Sequence, residues 1–482
     1  MGQVQVLPVI ILCVYIGVMF SIGFFVNKLT IKTSTDYMLA GRRMGVLMIA
    51  CSLSANNIGG GSTTGVAAKA FSGWGLSAAW YVLAAAIAMI PLSFFAPRIR
   101  KTMAVTIPEV VNRRFGNSAG AFTAILNVLS LFLLTASQVL ASASVVSAIT
   151  GIPLNVAILI SGAIVIAYTT LGGMLADAIA DILQFFIIFF GLLISIPFII
   201  QGAGGWQAVS NMLPPVELDM FKIGIPTILG LIFNYFCTFL SGPEMVSRFA
   251  GAEDEKTAVK ASVLSAVLMA LLAFMPTIIG LVALAENPGL DAGKGTTALM
   301  YAASKYAPPV VTGFVAAAIV AATMSSADSN LLCASTILMK DIYQRFINPD
   351  VEDKRLIFMT RMSNVVICLI SMGIALFKIN LITLNLFAFA LRTAGPFAAY
   401  ALGMVVPNAT KNSGIVSIAV GSVAVVGWQI FSINGGNTFG ILPIVFGCFW
   451  GVVTFYLVTY IETKMGKPAA PSAYIDNSSQ VG

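Results

Sequence analysis

Long apolar runs, each about 20 residues and separated by short charged loops, recur along the whole sequence. Inside a bilayer no water is available to backbone N–H and C=O groups, so a chain patterned this way must close its hydrogen bonds within helices. With 58% hydrophobic and 9% charged residues, no loop is long enough to bury a core of its own. The pattern predicts an all-α integral membrane protein, one polytopic unit of about 13 transmembrane helices.

Charge placement sets the expected orientation. With the N-terminus outside, 20 of the 26 Lys and Arg residues fall in cytoplasmic segments, Lys32 and Arg248 among them. Five lie outside, including Lys294, and Arg392 is inside a span. The positive-inside rule then predicts an external N-terminus and a cytoplasmic C-terminus. This distribution explains the net charge of +7 without nucleic acid as a partner. The first span lacks a basic leading segment and a small-residue cleavage site, so it reads as a retained helix. The six cysteines fall in predicted spans without paired spacing, and there is no histidine. A disulfide framework, a zinc site and histidine-based acid/base catalysis are therefore not expected.

Four stretches carry polar chemistry at membrane depth. In Pro309 to Arg345, residues Ala322, Ser325, Ser326 and Ser329 share one helical face, with Asp328 at its edge. Hydroxyl and carbonyl oxygens suit a small hard cation such as Na+, and a carboxylate at this depth marks a pathway or site unless it is paired. The same spacing also permits close helix packing, so the stripe reads as ligand set or packing surface. In Ser52 to Gly65, Asn56-Asn57 beside Gly59-Gly60-Gly61 are poor helix material. They predict a broken helix whose freed carbonyls, such as those of Ala55 and Ile58, can coordinate a cation. After the Gly172-Gly173 turn, Asp177, Asp181 and Gln184 share a face. Asp177 is expected to be solvated near the helix N-terminus, whereas the deeper Asp181 needs a cation, a proton or a hydrogen-bond partner. Gly242-Pro243 should break the seventh span, leaving Asn234, Tyr235 and Thr238 to line a cavity or face a neighbouring helix. Two lone polar residues remain. Gln138 reads as interhelical glue or substrate contact. Arg392 needs an acidic side chain, carbonyls or a substrate carboxylate, or else it snorkels to an interface.

Together these segments resemble the sodium/solute symporter family, which has the inverted-repeat transporter fold typified by LeuT. The likeness runs through TDYMLAGRR (Thr35 to Arg43), SLSANNIGGGSTTG (Ser52 to Gly65) and TIPEVVNRRFG (Thr106 to Gly116). It continues in YTTLGGMLADAIADILQ (Tyr168 to Gln184), PEMVSRFAGAEDEKTA (Pro243 to Ala258) and ATMSSADSNLL (Ala322 to Leu332). The resemblance implies a 5+5 inverted repeat with broken helices, residues 44–201 and 224–405. An extra N-terminal helix at 5–27, two C-terminal helices within 413–461 and a cytoplasmic tail at 462–482 would flank it. It also implies a Na+ site made by the carbonyls of Ala55, Ile58 and Ala322 and the hydroxyls of Ser325 and Ser326. Asp181, Asp328 and Ser329 match a second site. Asp328 replaces the family's usual serine there, which leaves a second Na+, a proton or a salt bridge open.

Pocket positions carry over to Asn57, Gly59, Gly61, Ser62, Tyr235, Thr238 and Phe239, to which Asn234, Gln138 and Arg392 are added as substrate candidates. Gly61-Ser62 replaces the acidic and amide pair of sugar-binding members, which favours an amino acid or small carboxylate over a sugar. The implied function is Na+-coupled symport of a small polar organic solute by alternating access, not enzymatic catalysis. A proton-coupled carrier and a substrate sensor are the alternatives.

Overall fold

The computed structural model describes residues 6–30, 33–289, 297–379, 381–436, 438 and 441–474. Of the sequence expectations, those on Gln5, Lys32, Lys294 and residues 475–482 of the tail lie outside the described residues. Within them the regular elements are helical, and the β structure is an isolated bridge between Met44 and Ala252. Among the described residues nine helices are long and apolar enough to cross a membrane, or up to 11 if each of two bent pairs counts as one span. Two shorter apolar helices, Val46–Asn57 and Leu154–Thr170, fall within the expected first repeat, residues 44–201.

Nine helices position the site: α1 (Val6–Thr30), α2 (Val46–Asn57), α3 (Asn117–Thr150), α4 (Leu154–Gly172), α5 (Met174–Gly202), α6 (Ile225–Leu240), α7 (Pro243–Ala250), α8 (Pro309–Ile337) and α9 (Leu381–Thr393). The serine-bearing α8 is the central one and packs against α1, α3 and α5. Its span is 89% buried across its most apolar window, against 28% for that of α1. A mostly apolar helix in a membrane protein ends up surrounded by protein or by lipid, and polar side chains at that depth favour the protein interior. Here α8 takes the first place and α1 largely the second.

Three interruptions set the geometry. The helix α2 stops where Ile58 leaves the helical region (φ −91, ψ 62), and the chain resumes as the wide turn Gly61–Gly65. The glycines allow a close approach. A Cβ on Gly59 would lie 2.6 Å from Ser326 Oγ, and one on Gly60 would lie 2.5 Å from the Ala141 methyl. Helices α6 and α7 meet at 56° across the Gly242-Pro243 break, and α9 is bent by 43° from the following helix Ala398–Val405. Between α4 and α5, Gly173 turns the chain with φ +77, a conformation that a side chain would strain. Beyond α7, Asp254 caps the helix Glu255–Leu272 by accepting the Thr257 N–H at 2.7 Å, which holds its carboxyl below the ordinary carboxylate value.

Candidate functional site

A cavity of about 40 Å³ lies where the break after α2 meets α3, α6, α8 and α9. It has room for a few water molecules. Seven of the substrate candidates line it: Asn57, Gly59, Gly61, Ser62, Gln138, Tyr235 and Phe239. Asn234, Thr238 and Arg392 do not. Asn234 and Thr238 are buried behind the wall, and among the described residues neither Asn234 Nδ2 nor Thr238 Oγ1 has a hydrogen-bond partner. Gln138 closes a backbone account: its Oε1 accepts the Gly60 N–H at 2.9 Å, satisfying a donor that the unwound segment frees. Tyr81 and Tyr235 meet edge to face at 5.5 Å, and Tyr235 lies 5.3 Å from Phe239, so one wall is aromatic.

Between the break and α8 lies a row of oxygens. The Ser326 hydroxyl donates to the Asn56 carbonyl at 2.7 Å and to Ala322 O at 3.1 Å, which locks α8 to the end of α2. Ile58 N–H takes Ser54 O, and the Asn57 carbonyl accepts Ser62 Oγ at 2.8 Å. Among the described residues no hydrogen bond reaches the carbonyl of Ala55 or of Ile58. The Ser325 hydroxyl is fully buried and also has no partner. Buried oxygens without donors are uncommon in folded proteins and call for an occupant. These are neutral hard oxygens, the donor type that suits Na+.

One helical turn along α8 is a charged cluster that differs from the sequence reading. Arg248, counted among the cytoplasmic loop charges, is fully buried. It bonds Asp177 at 2.5 Å and Asp181 at 3.4 Å, and it donates to Ser52 Oγ at 3.0 Å and to the Ser329 hydroxyl. Asp177, expected to be solvated, is buried in this pair. The bend accounts for this: α7 leaves α6 at 56° and carries its last-turn arginine inward to Asp177 and Asp181 on α5 rather than out to water. Asp181 also accepts Ser52 Oγ at 2.5 Å, while Asp328 accepts the Thr169 hydroxyl. Asp181 Oδ1 and Asp328 Oδ2 have no partner among the described residues. A small cavity of about 10 Å³ separates Asp177 from Asp328.

Arg392 has an acidic partner. Its two terminal nitrogens bond the two oxygens of Glu244 at 2.6 and 2.5 Å, and both residues are buried. Glu244 lines the cavity, as do Tyr81, Asn330 and Asn385, none of which sequence reasoning singled out. A carboxylate in the first turn after a Gly-Pro break, at membrane depth, was the available signal for Glu244. The other three carry no local mark.

Comparisons with known proteins bear on the family and the fold. Residues 37–421 match the Sodium:solute symporter family. The high-affinity proline transporter PutP of Bacillus subtilis (strain 168) is 29% identical over 432 residues, covering 85% of this chain and 89% of that protein. A sodium/proline symporter of Salmonella typhimurium is 26% identical over 465 residues, covering 90% and 91%. Among solved structures, the substrate-bound outward-open state of a Na+-coupled sialic acid symporter superposes with a TM-score of 0.80 at 21% identity, over 97% of this chain and 99% of that one. Mhp1, a nucleobase-cation-symport-1 family transporter in a closed conformation, gives 0.61 at 15% identity over 92% and 97%. At these identities the structures speak for the shared helical fold. On the family match, which spans most of its length, the chain belongs to the sodium:solute symporter family, Na+-coupled membrane transporters rather than enzymes.

Proposed function

We propose that this protein carries a small polar organic solute, an amino acid or small carboxylate, into the cell with Na+ by alternating access. The observation that carries this reading is the set of unpaired buried oxygens at the break: the carbonyls of Ala55 and Ile58 and the hydroxyl of Ser325, beside the Ser326–Asn56 bond. With the Ala322 carbonyl they supply neutral donors for one Na+, and Ser326 also lines the cavity, so ion and solute would share a wall. The proline-transporting relatives make a proline-like solute the first to try.

In this reading Na+ joins α8 to the broken α2 and favours the arrangement that accepts solute. Solute then completes the wall, and the bends at Gly242-Pro243 and after Arg392 provide hinges for the change of access. Asp181, Asp328 and Ser329 form a second site for a cation or proton. Asp177 and Asp181 share one guanidinium and, among the described residues, Asp328 has only the Thr169 hydroxyl, so a cation or a proton would balance the group. The N-terminus lies outside and the C-terminus in the cytoplasm. The repeats are 44–201 and 224–405.

Uptake by proteoliposomes tests this reading. An inward Na+ gradient should drive accumulation of radiolabelled L-proline or another amino acid, and K+ of equal strength should not. Accumulation driven equally by a proton gradient without Na+ would transfer the proposal to a proton-coupled carrier.

A further inference from the structure

The Glu244–Arg392 pair joins two helices at the edge of the cavity, with Glu244 in the cavity wall and Arg392 fully buried behind it. Taking two charges out of water often costs as much as their attraction returns, and an apolar pair would hold the helices as well. A buried pair at this place therefore points toward a ligand. Among the described residues Glu244 is the one charged residue lining the cavity. Arg392 stands behind it with both terminal nitrogens committed and its guanidinium 5.1 Å from the Phe389 ring centroid, which fixes the plane of the fork. A carboxylate offers about four acceptor sites, and among the described residues Arg392 takes one on each oxygen. The remaining capacity belongs to a wall otherwise made of amides, hydroxyls, glycines and hydrocarbon.

Resting on the symport reading above, we propose that Glu244 is a specificity-determining residue that binds a cationic nitrogen of the solute, with Arg392 as its positioning residue. The solute class that follows is the small zwitterion, an amino or imino acid, and not a simple carboxylate. Because the pair is neutral as a unit, a solute without net charge leaves the cavity balanced. A nitrogen-free anion brings like charge toward Glu244 and leaves its acceptors unmet.

The test is ligand-dependent thermal stability of the purified full chain in detergent, in NaCl and in KCl. The probes are the twenty L-amino acids, including proline and alanine, together with cyclopentanecarboxylate and propionate. The wild type and the Glu244→Gln/Arg392→Gln double variant, which keeps a neutral hydrogen-bonding pair, are compared. The nitrogen-free carboxylates should bind the wild type at least about 100-fold more weakly than the matching amino acid, and the double variant should reduce that ratio to about threefold or less. Its stabilisation by Na+ alone should persist.

Carboxylates binding the wild type within about threefold of amino acids would overturn the proposal, as would a failure of every amino acid to bind. So would a double variant that keeps the full ratio, which is what a purely structural tie predicts. Should the double variant fail to fold, the Glu244→Gln single variant is read by the same ratio, and a full wild-type ratio in it would overturn the proposal. Failure of the symport reading has a separate signature: ligand stabilisation that is the same in NaCl and KCl, whatever the ratio between solutes.

Discussion

Ser325 and Ser326 are neighbours with different tasks. Ser326 spends its hydroxyl on Asn56 O, while Ser325 keeps its own unpaired in a fully buried place. Leaving such a group unmet costs about 1–3 kcal/mol, so Ser325→Ala should leave the ion-free protein as stable as wild type or more so. Its apparent Na+ affinity should fall at least about tenfold, equivalent to roughly 1.4 kcal/mol. Ser326→Ala should weaken Na+ binding too, but it also breaks the tie between α8 and α2 and should lower stability in K+ by about 1 kcal/mol. Na+ titration of the melting temperature of each variant separates the two effects, and wild-type Na+ affinity in both would remove these hydroxyls from the site. Gly59→Ala tests the close approach. Its Cβ would meet Ser326 Oγ at 2.6 Å and Gln138 Oε1 at 2.9 Å, so uptake should be lost while the protein still inserts in the membrane. Normal uptake by this variant would mean that the break tolerates more room than the structure gives it.

At the scale of elements, Arg248 is the tie that matters most, since one guanidinium joins α7 to α2, α5 and α8. Arg248→Gln leaves two carboxylates without their cation and should destabilise the protein by about 3–5 kcal/mol. Adding Asp177→Asn should recover part of that loss. Denaturant unfolding in detergent measures both, and a double variant no more stable than the single would argue against the pairing. The contrast with the breaks shows what was legible in the sequence. Gly59-Gly60-Gly61 and Gly242-Pro243 announce themselves, because glycine and proline act on their own backbone. The stripe on α8 was legible for a similar reason, its residues lying on one helix. Arg248 was not, because its partners Asp177 and Asp181 are 71 and 67 residues away and its own neighbourhood, with Glu253, Asp254, Glu255 and Lys256, reads as a charged loop. Glu244 and Arg392 stand 148 residues apart and met the same obstacle. The need of Arg392 for a partner was evident from its depth, but the identity of that partner was a tertiary fact.

For the molecule as a whole, the cavity of about 40 Å³ is far smaller than the several hundred Å³ of pockets that enclose organic ligands. On the proposed reading, solute entry would require the bent spans to move, and the ion would favour one arrangement over the other. Ion and solute then raise each other's affinity by the same factor. Orientation is tested independently of transport. In intact cells a membrane-impermeant thiol reagent should label Lys378→Cys in a cysteine-free background and spare Lys256→Cys, and the reverse pattern would invert the proposed topology. The most direct measurement is the melting temperature of the purified protein titrated with NaCl against KCl at constant ionic strength, alone and with L-proline. A ligand at 100 times its Kd stabilises the state that binds it by about 2.7 kcal/mol. If Na+ occupies the oxygens between α2 and α8, NaCl alone should raise the melting temperature, KCl should not, and solute should add to the rise only when Na+ is present. Identical curves in the two salts, with and without solute, would contradict Na+ binding at this site.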